Sequence, residues 1–257
     1  MAKSRNILFI VEGESDEPNF LNRLFQICFP ESGFKCWSYR TSLHDLVCDL
    51  YPDGEFDPDV DILLHLRSKA RTEEEKQILS ESMCYTDIFM IFDFEPHYSH
   101  LEWERIRGML EYYQHSDDEG KLILNYPMMQ SYKHLKSLPD MEFKDRMAAV
   151  AETSSYKELV GNESTVIQLE KYTYPVWMAI CGHHLMKLEY ILHAKYELPD
   201  AEDYLSFRQE QLFDAECKKH EEEHMVDVVN TAVFLLMEYE PVRVLEDMKR
   251  HRDRYYL

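Results

Sequence analysis

Three acidic residues stand where chemistry is most readily done. Glu12 follows the apolar run Ile7–Val11, and Asp93 and Glu95 follow a second apolar run, Asp87–Phe92. A carboxylate that interrupts a buried run and is followed at once by Gly13 is more than a plain turn needs. In an open α/β sheet, ligands bind in the crevice outside the carboxyl ends of the strands, so Glu12 is expected beside a ligand. Asp93 and Glu95 are two residues apart, and in an extended chain such residues point the same way. They are expected to converge on one side while Phe94 turns into the core. Hard oxygen donors at two strand ends suit Mg²⁺ or Mn²⁺. His97 is read as a turn residue, and the bland reading of all three acids is that of solvated turn carboxylates.

The elements that must hold these acids can be traced along the chain. Ile7–Val11 reads as a strand buried on both faces. Asp16 is placed as the cap of a helix with Glu17 and Pro18 in its first turn, continued by Phe20, Leu21, Leu24, Phe25 and Cys28. Phe34–Tyr39 is a short strand, and Ser42 caps a helix over Leu43–Leu50. The acidic stretch Asp49–Asp61 is an exposed loop. Val60–Ser68, Glu73–Ser82 and Leu101–Tyr113 read as helices. Lys121–Asn125 is a third strand, leading through Tyr126–Pro127 into Ser131 and Lys133. These two can bind phosphate or simply lie on a helix surface. From Met141 on, the chain reads as helical: Glu142–Ala151, Tyr174–His193, Ala201–Met237 with a break, and Val242–Tyr255. The expected division is an α/β domain over 1–140 and a helical region over 141–257 packing on it.

Composition narrows the classes. The chain has 257 residues, with 28 Lys and Arg against 49 Asp and Glu, a formal charge of −21. Such an excess repels nucleic acid at long range. Nucleic-acid chemistry would need metal ions, a partner, or a local basic patch such as Arg243, Lys249, Arg250, Arg252 and Arg254, which reads equally as a solvated helix end. Six cysteines without a paired spacing fit reduced thiols and a cytoplasmic location. No apolar run is long enough for a membrane span. The N-terminus turns acidic straight after its first apolar run, unlike a signal peptide. The apolar run Val226–Met237 can bury its face internally or in a homodimer.

Taken together, ILFIVEGESDEPNF and IFMIFDFE resemble the Toprim domain. That family pairs a strand ending in Glu-Gly with a later strand ending in Asp-x-Asp. The segment ILNYPMMQSYKHL is similar to the strand–helix element that follows in Toprim proteins of bacterial defence loci. The resemblance covers about residues 5–140 and is nearest to RloB-like and OLD-related Toprim effectors. Two departures stand out: the second motif is Asp-x-Glu, and Gln130 occupies a place where an acid would suit. The resemblance implies a Rossmann-like, mostly parallel sheet flanked by helices. It also implies metal-dependent hydrolysis of phosphodiesters in DNA or RNA, tRNA included, by a toxic effector of anti-phage defence under a partner ABC-type ATPase. Glu12, Asp93 and Glu95 would hold one or two Mg²⁺ or Mn²⁺ ions, Asp16 would be an outer ligand or only a cap, and Lys133 would neutralise the phosphate. The chain has no Gly-rich phosphate loop ending in Gly-Lys-Ser/Thr, so ATP hydrolysis would belong to the partner.

Two readings from other classes compete. The chain can be a non-catalytic binding or regulatory subunit that keeps the Toprim scaffold. His220-Glu-Glu-Glu-His224 also matches the zinc-peptidase pattern His-Glu-x-x-His, with Glu238 or Glu240 as third ligand. Its setting, among Lys218, Lys219 and a run of Glu, is that of a solvated helix. His183 and His184 sit in an apolar helical stretch, where a hydrogen-bonded core histidine is expected before a ligand.

Overall fold

A computed structural model describes residues 5–80, 84–98, 100–166, 168–255 and 257. The chain forms two compact units. The first runs to Phe25 and takes in Phe29–Phe92 and Tyr98–Ile123. The second comprises Gln26–Cys28, Asp93–His97 and Leu124–Leu257.

In the first unit, strand β1 (Asn6–Val11) is followed by helix α1 (Asp16–Cys28), strand β2 (Gly33–Ser38) and helices α2 (Leu43–Leu50), α3 (Ile62–Lys69) and α4 (Glu73–Ser80). Strand β3 (Asp87–Asp93), helix α5 (Trp103–Tyr112) and strands β4 (Gln114–His115) and β5 (Gly120–Asn125) complete the sheet. The strand order is β2-β1-β3-β5-β4. β1 runs parallel to β2, with Val11 opposite Ser38, and parallel to β3, with Val11 opposite Ile91. β4 and β5 are antiparallel. The sheet is thus α/β and mostly parallel, as expected. Ile7 to Val11 are all 0 % exposed. A central parallel strand has neighbours on both edges and covered faces, and an unbroken apolar run is what that position demands. Phe9 stacks on Phe89 of β3 at 5.3 Å and meets Phe25 of α1 edge-on at 5.5 Å. Gly108 of α5 is required by close approach: a Cβ there would lie 2.9 Å from the Cβ of Phe56.

Several local expectations need adjustment. Helix α1 begins at Asp16, and the capping position is Ser15, whose side chain makes no cap hydrogen bond. Asp16 is therefore a first-turn acid, suited to the positive end of the helix dipole. Ser42 caps α2 as expected, accepting the Asp45 amide at 3.0 Å. The last two residues of the helix expected over Glu73–Ser82 lie outside the described residues.

The second unit is mainly helical: α6 (Tyr156–Glu163), α7 (Tyr174–His193), α8 (Ala201–Ser206), α9 (Gln209–Glu223) and α10 (Pro241–Arg250). It also holds two short strands, β6 (Met147–Ala149) and β7 (Met225–Asp227), paired antiparallel. The ribbon corrects the expectation of a strand-free half, and it replaces the helix expected over Glu142–Ala151. The reason is non-local. Lys187 of α7 donates to the carbonyls of Lys144 and Arg146 at 2.5 and 3.2 Å, and Arg146 donates to Asp140 and to the His134 carbonyl at 2.8 Å each. The Arg146 carbonyl also accepts the Val228 N–H at 3.1 Å, and the Val150 N–H donates to the His224 carbonyl at 3.0 Å, so this backbone is paired outside its own segment instead of closing a helix. α7 has the bounds read from the sequence and is apolar nearly all round, the pattern of a buried helix. Val226–Met237 is buried throughout and ends in a 3₁₀ turn over Ala232–Met237. Its apolar face is covered inside the chain.

Candidate active site

The backbone at Glu12 is held from both neighbouring strands. Its N–H donates to the Ile91 carbonyl of β3 at 3.2 Å, and its carbonyl accepts the Arg40 N–H at 2.8 Å. Gly13 accepts the Ser38 hydroxyl at 2.9 Å. A Cβ on Gly13 would come within 2.7 Å of the Glu17 carboxylate, which is buried. Glycine at this position therefore lets α1 start directly against the strand end. Arg40 adopts a left-handed backbone, φ 74°, and its guanidinium is paired with Glu14 and Glu75. Glu12 itself is partly exposed.

β3 ends at Asp93, which is 8 % exposed. The strand order places the switch in winding direction at β1 and β3, because the chain leaves β1 for β2 on one side and returns to β3 on the other. Carboxyl ends at such a switch point are the usual ligand crevice of this fold type. Glu12 and Asp93 terminate the two strands concerned.

Beyond Asp93 the chain is pinned residue by residue. Phe94 N–H donates to the Asn125 carbonyl at 3.0 Å and Glu95 N–H to the Pro127 carbonyl at 3.3 Å. The Pro96 carbonyl accepts His220 Nε2–H at 3.0 Å. His97 Nδ1 lies 2.9 Å from the Thr153 hydroxyl. That hydroxyl gives its proton to the Val150 carbonyl, so His97 is the donor to it. Phe94 turns inward, 2 % exposed, against the rings of Tyr126 and Phe213. Glu95 has φ 44°. The extended strand ends at Asp93, so Glu95 lies beyond the alternation from which its convergence with Asp93 was expected. A left-handed non-glycine residue is an uncommon, costly conformation that persists where the surroundings impose it, and here four consecutive residues are anchored.

Downstream, Met129–Lys133 is a 3₁₀ turn rather than the start of an α-helix. Gln130 is 5 % exposed. Ser131 is fully buried and accepts Asn230 Nδ2 at 3.2 Å, which makes it a core residue and removes it as a phosphate ligand. Lys133 is half-buried, its ammonium 5.7 Å from the Tyr132 ring centroid.

His183 and His184 are structural. His183 accepts the Asp140 N–H at 2.8 Å and donates to the Ala179 carbonyl at 2.8 Å. His184 accepts the Asn230 N–H at 3.0 Å and donates to the Tyr132 carbonyl at 3.3 Å. Burial pulls the His184 pKa down to about 3, so it stays neutral. In the His-Glu-x-x-His segment, α9 ends at Glu223, and His224 is the left-handed residue that closes it, φ 54°.

A charge cluster in the second unit escaped the sequence reading. Asp227 of β7 is paired with Lys187 at 2.5 Å and with Lys219. Its N–H donates to Glu216 at 2.9 Å. Lys187, Glu216 and Asp227 are at most 2 % exposed. Burial pulls the Lys187 pKa down against the opposing charge of Asp227. Burial, then the charge of Asp227, pushes Glu216 up to about 8. The signal was available: Lys187 and Asp227 each interrupt an apolar run.

Among the described residues, no group of three or more His, Cys, Asp or Glu side chains is gathered closely enough to hold a metal ion. No helix is long and apolar enough to cross a membrane. Comparisons with protein-family models, curated proteins and solved structures find no match to this chain.

Proposed function

We propose that the chain is a Toprim-type nuclease that hydrolyses phosphodiester bonds with Mg²⁺ or Mn²⁺. The observation that supports this most is that β1 and β3, the strands at the switch of winding direction, each end in a carboxylate, Glu12 and Asp93. The donor set fits the group. Mg²⁺ is commonly held by one or two carboxylates, with water and substrate phosphate supplying the other ligands, and needs no all-protein cage. Glu12 and Asp93 would be those carboxylates, Glu95 a third near Asp93 in sequence, and Asp16 an outer acid. When bound, the ion activates a water and offsets charge on the scissile phosphate.

The chain's own residues supply position and charge. Two backbone hydrogen bonds hold the Glu12 main chain at the end of β1, which fixes the point from which its carboxylate would reach a ligand. Lys133 would neutralise charge that develops on the phosphate. The role of toxic anti-phage effector, acting on DNA or tRNA in the cytoplasm under a partner ABC-type ATPase, rests on the Toprim resemblance. A second reading, a non-catalytic scaffold subunit, draws support from Glu95, whose left-handed backbone departs from the family's strand-end pair.

The test is cleavage of plasmid DNA and of tRNA with Mg²⁺ or Mn²⁺, with Glu12→Gln and Asp93→Asn as controls. Divalent-dependent cleavage lost in both variants is the expected result. Equal activity in wild type and variants would remove these acids from the mechanism, and inactivity of the wild type alone and with its ATPase would favour the scaffold.

A further inference from the structure

Outside the proposed catalytic region, the carboxyl end of α7 opens on a cleft of about 300 Å³. A smaller apolar recess of about 50 Å³ adjoins it and shares Glu189, Pro199 and Asp203 with it. Glu189 lines both. It is 5 % exposed, and among the described residues its carboxylate has no hydrogen-bond or ion-pair partner. The charged residues around it stand at the exposed rim. Lys249 is occupied by Asp200 at 2.6 Å. That leaves Glu189, Glu197 and Asp203 against Lys195 and Arg252, with His193 beside Glu189 in the recess.

Burying a carboxylate is expensive, and burial pushes the pKa of this one up against the opposing pull of the exposed His193 and Lys195. Such a group is readily explained when a cation completes it. We propose that this cleft binds a small organic cation whose ammonium or guanidinium group pairs with Glu189. A bare metal ion is the poorer fit, because the recess adjoining Glu189 is lined largely by apolar side chains. The recess carries Leu188, Leu192, Tyr204 and Phe207, which suits a short methylene chain and an aromatic contact with the cation. The cleft volume lies at the small-ligand end of the usual range. The acids Glu197 and Asp203 favour a second positive charge, so the ligand class is an aliphatic diamine or a basic amino acid.

The experiment is calorimetric titration of the full chain at low salt with putrescine, agmatine and arginine. Butane-1,4-diol and glutamate serve as neutral and anionic controls. The cations are expected to bind, and the controls are not. Free amines binding without arginine would identify the diamine class, and the reverse the amino-acid class. Glu189→Gln should weaken binding by about tenfold or more. Its melting temperature should equal or exceed the wild-type value, since an unpaired buried charge is removed. Lys195→Ala should bind at least as well as wild type. The proposal is overturned if no cation binds up to ~10 mM, if Glu189→Gln binds as wild type does, or if the diol binds equally. Because the cleft uses none of the acids at the strand ends, this outcome is independent of any nuclease assay.

Discussion

Glu216 has one oxygen on the Asp227 amide, and the other has no hydrogen-bond partner among the described residues. It is faced by Asp227, Lys219, Lys187 and Tyr126. Its pKa rises from 4.5 to about 8 on folding, so between these values the folded state binds more protons than the unfolded one. Stability from this residue is present at low pH and falls as pH rises from about 4.5 to about 8. Denaturant unfolding at pH 6 and 8.5 should show that decline, and Glu216→Gln should flatten it. Lys187→Met leaves Asp227 short of one partner and uncaps two carbonyls. It should cost about 3 kcal/mol in the same measurement. Glu95→Gly makes the opposite trade. The left-handed backbone costs a non-glycine residue about 1 kcal/mol, so the variant should melt no lower than wild type while losing cleavage. A variant that melts far lower would show that the side chain, rather than the backbone anchors, holds this turn.

At the scale of elements, β1, β3, β5 and α7 were legible because each is determined by its own pattern. The strands are unbroken apolar runs in a covered sheet, and α7 is a long apolar run, too long for a strand, bounded by Thr173 and the left-handed Ala194. The ribbon of β6 and β7 was not legible. Three-residue strands carry too little pattern, and their pairing joins segments some eighty residues apart, with Lys187 of α7 holding the Arg146 carbonyl beside β6. The carboxylates at the ends of β1 and β3 were also readable, since an acid closing an apolar run is a local signal. The turn at Glu95 was not, because it depends on anchors from Asn125, Pro127, Thr153 and His220. The contact between α5 and Phe56 gives a direct check. Gly108→Ala gains about 1 kcal/mol of helix propensity, but its Cβ would press on the Phe56 Cβ. Overpacking of this kind costs about 1–3 kcal/mol, so a net loss of stability is expected by thermal unfolding.

For the whole molecule, a formal charge of −21 sets the terms on which a polyanion can approach. If the chain acts on nucleic acid as proposed, long-range repulsion must be offset near the strand ends, and a divalent ion would then be a condition of substrate binding as well as of chemistry. Retention of a labelled oligonucleotide should therefore be absent in chelator and appear with millimolar Mg²⁺. The account stands or falls on whether Glu12 and Asp93 serve one divalent ion. Titration of Mn²⁺ into the wild type, Glu12→Gln and Asp93→Asn, followed by electron paramagnetic resonance of the free ion, tests this directly. The account predicts a wild-type site weakened in both variants by about tenfold or more. Mn²⁺ binding that is the same in all three proteins would contradict it.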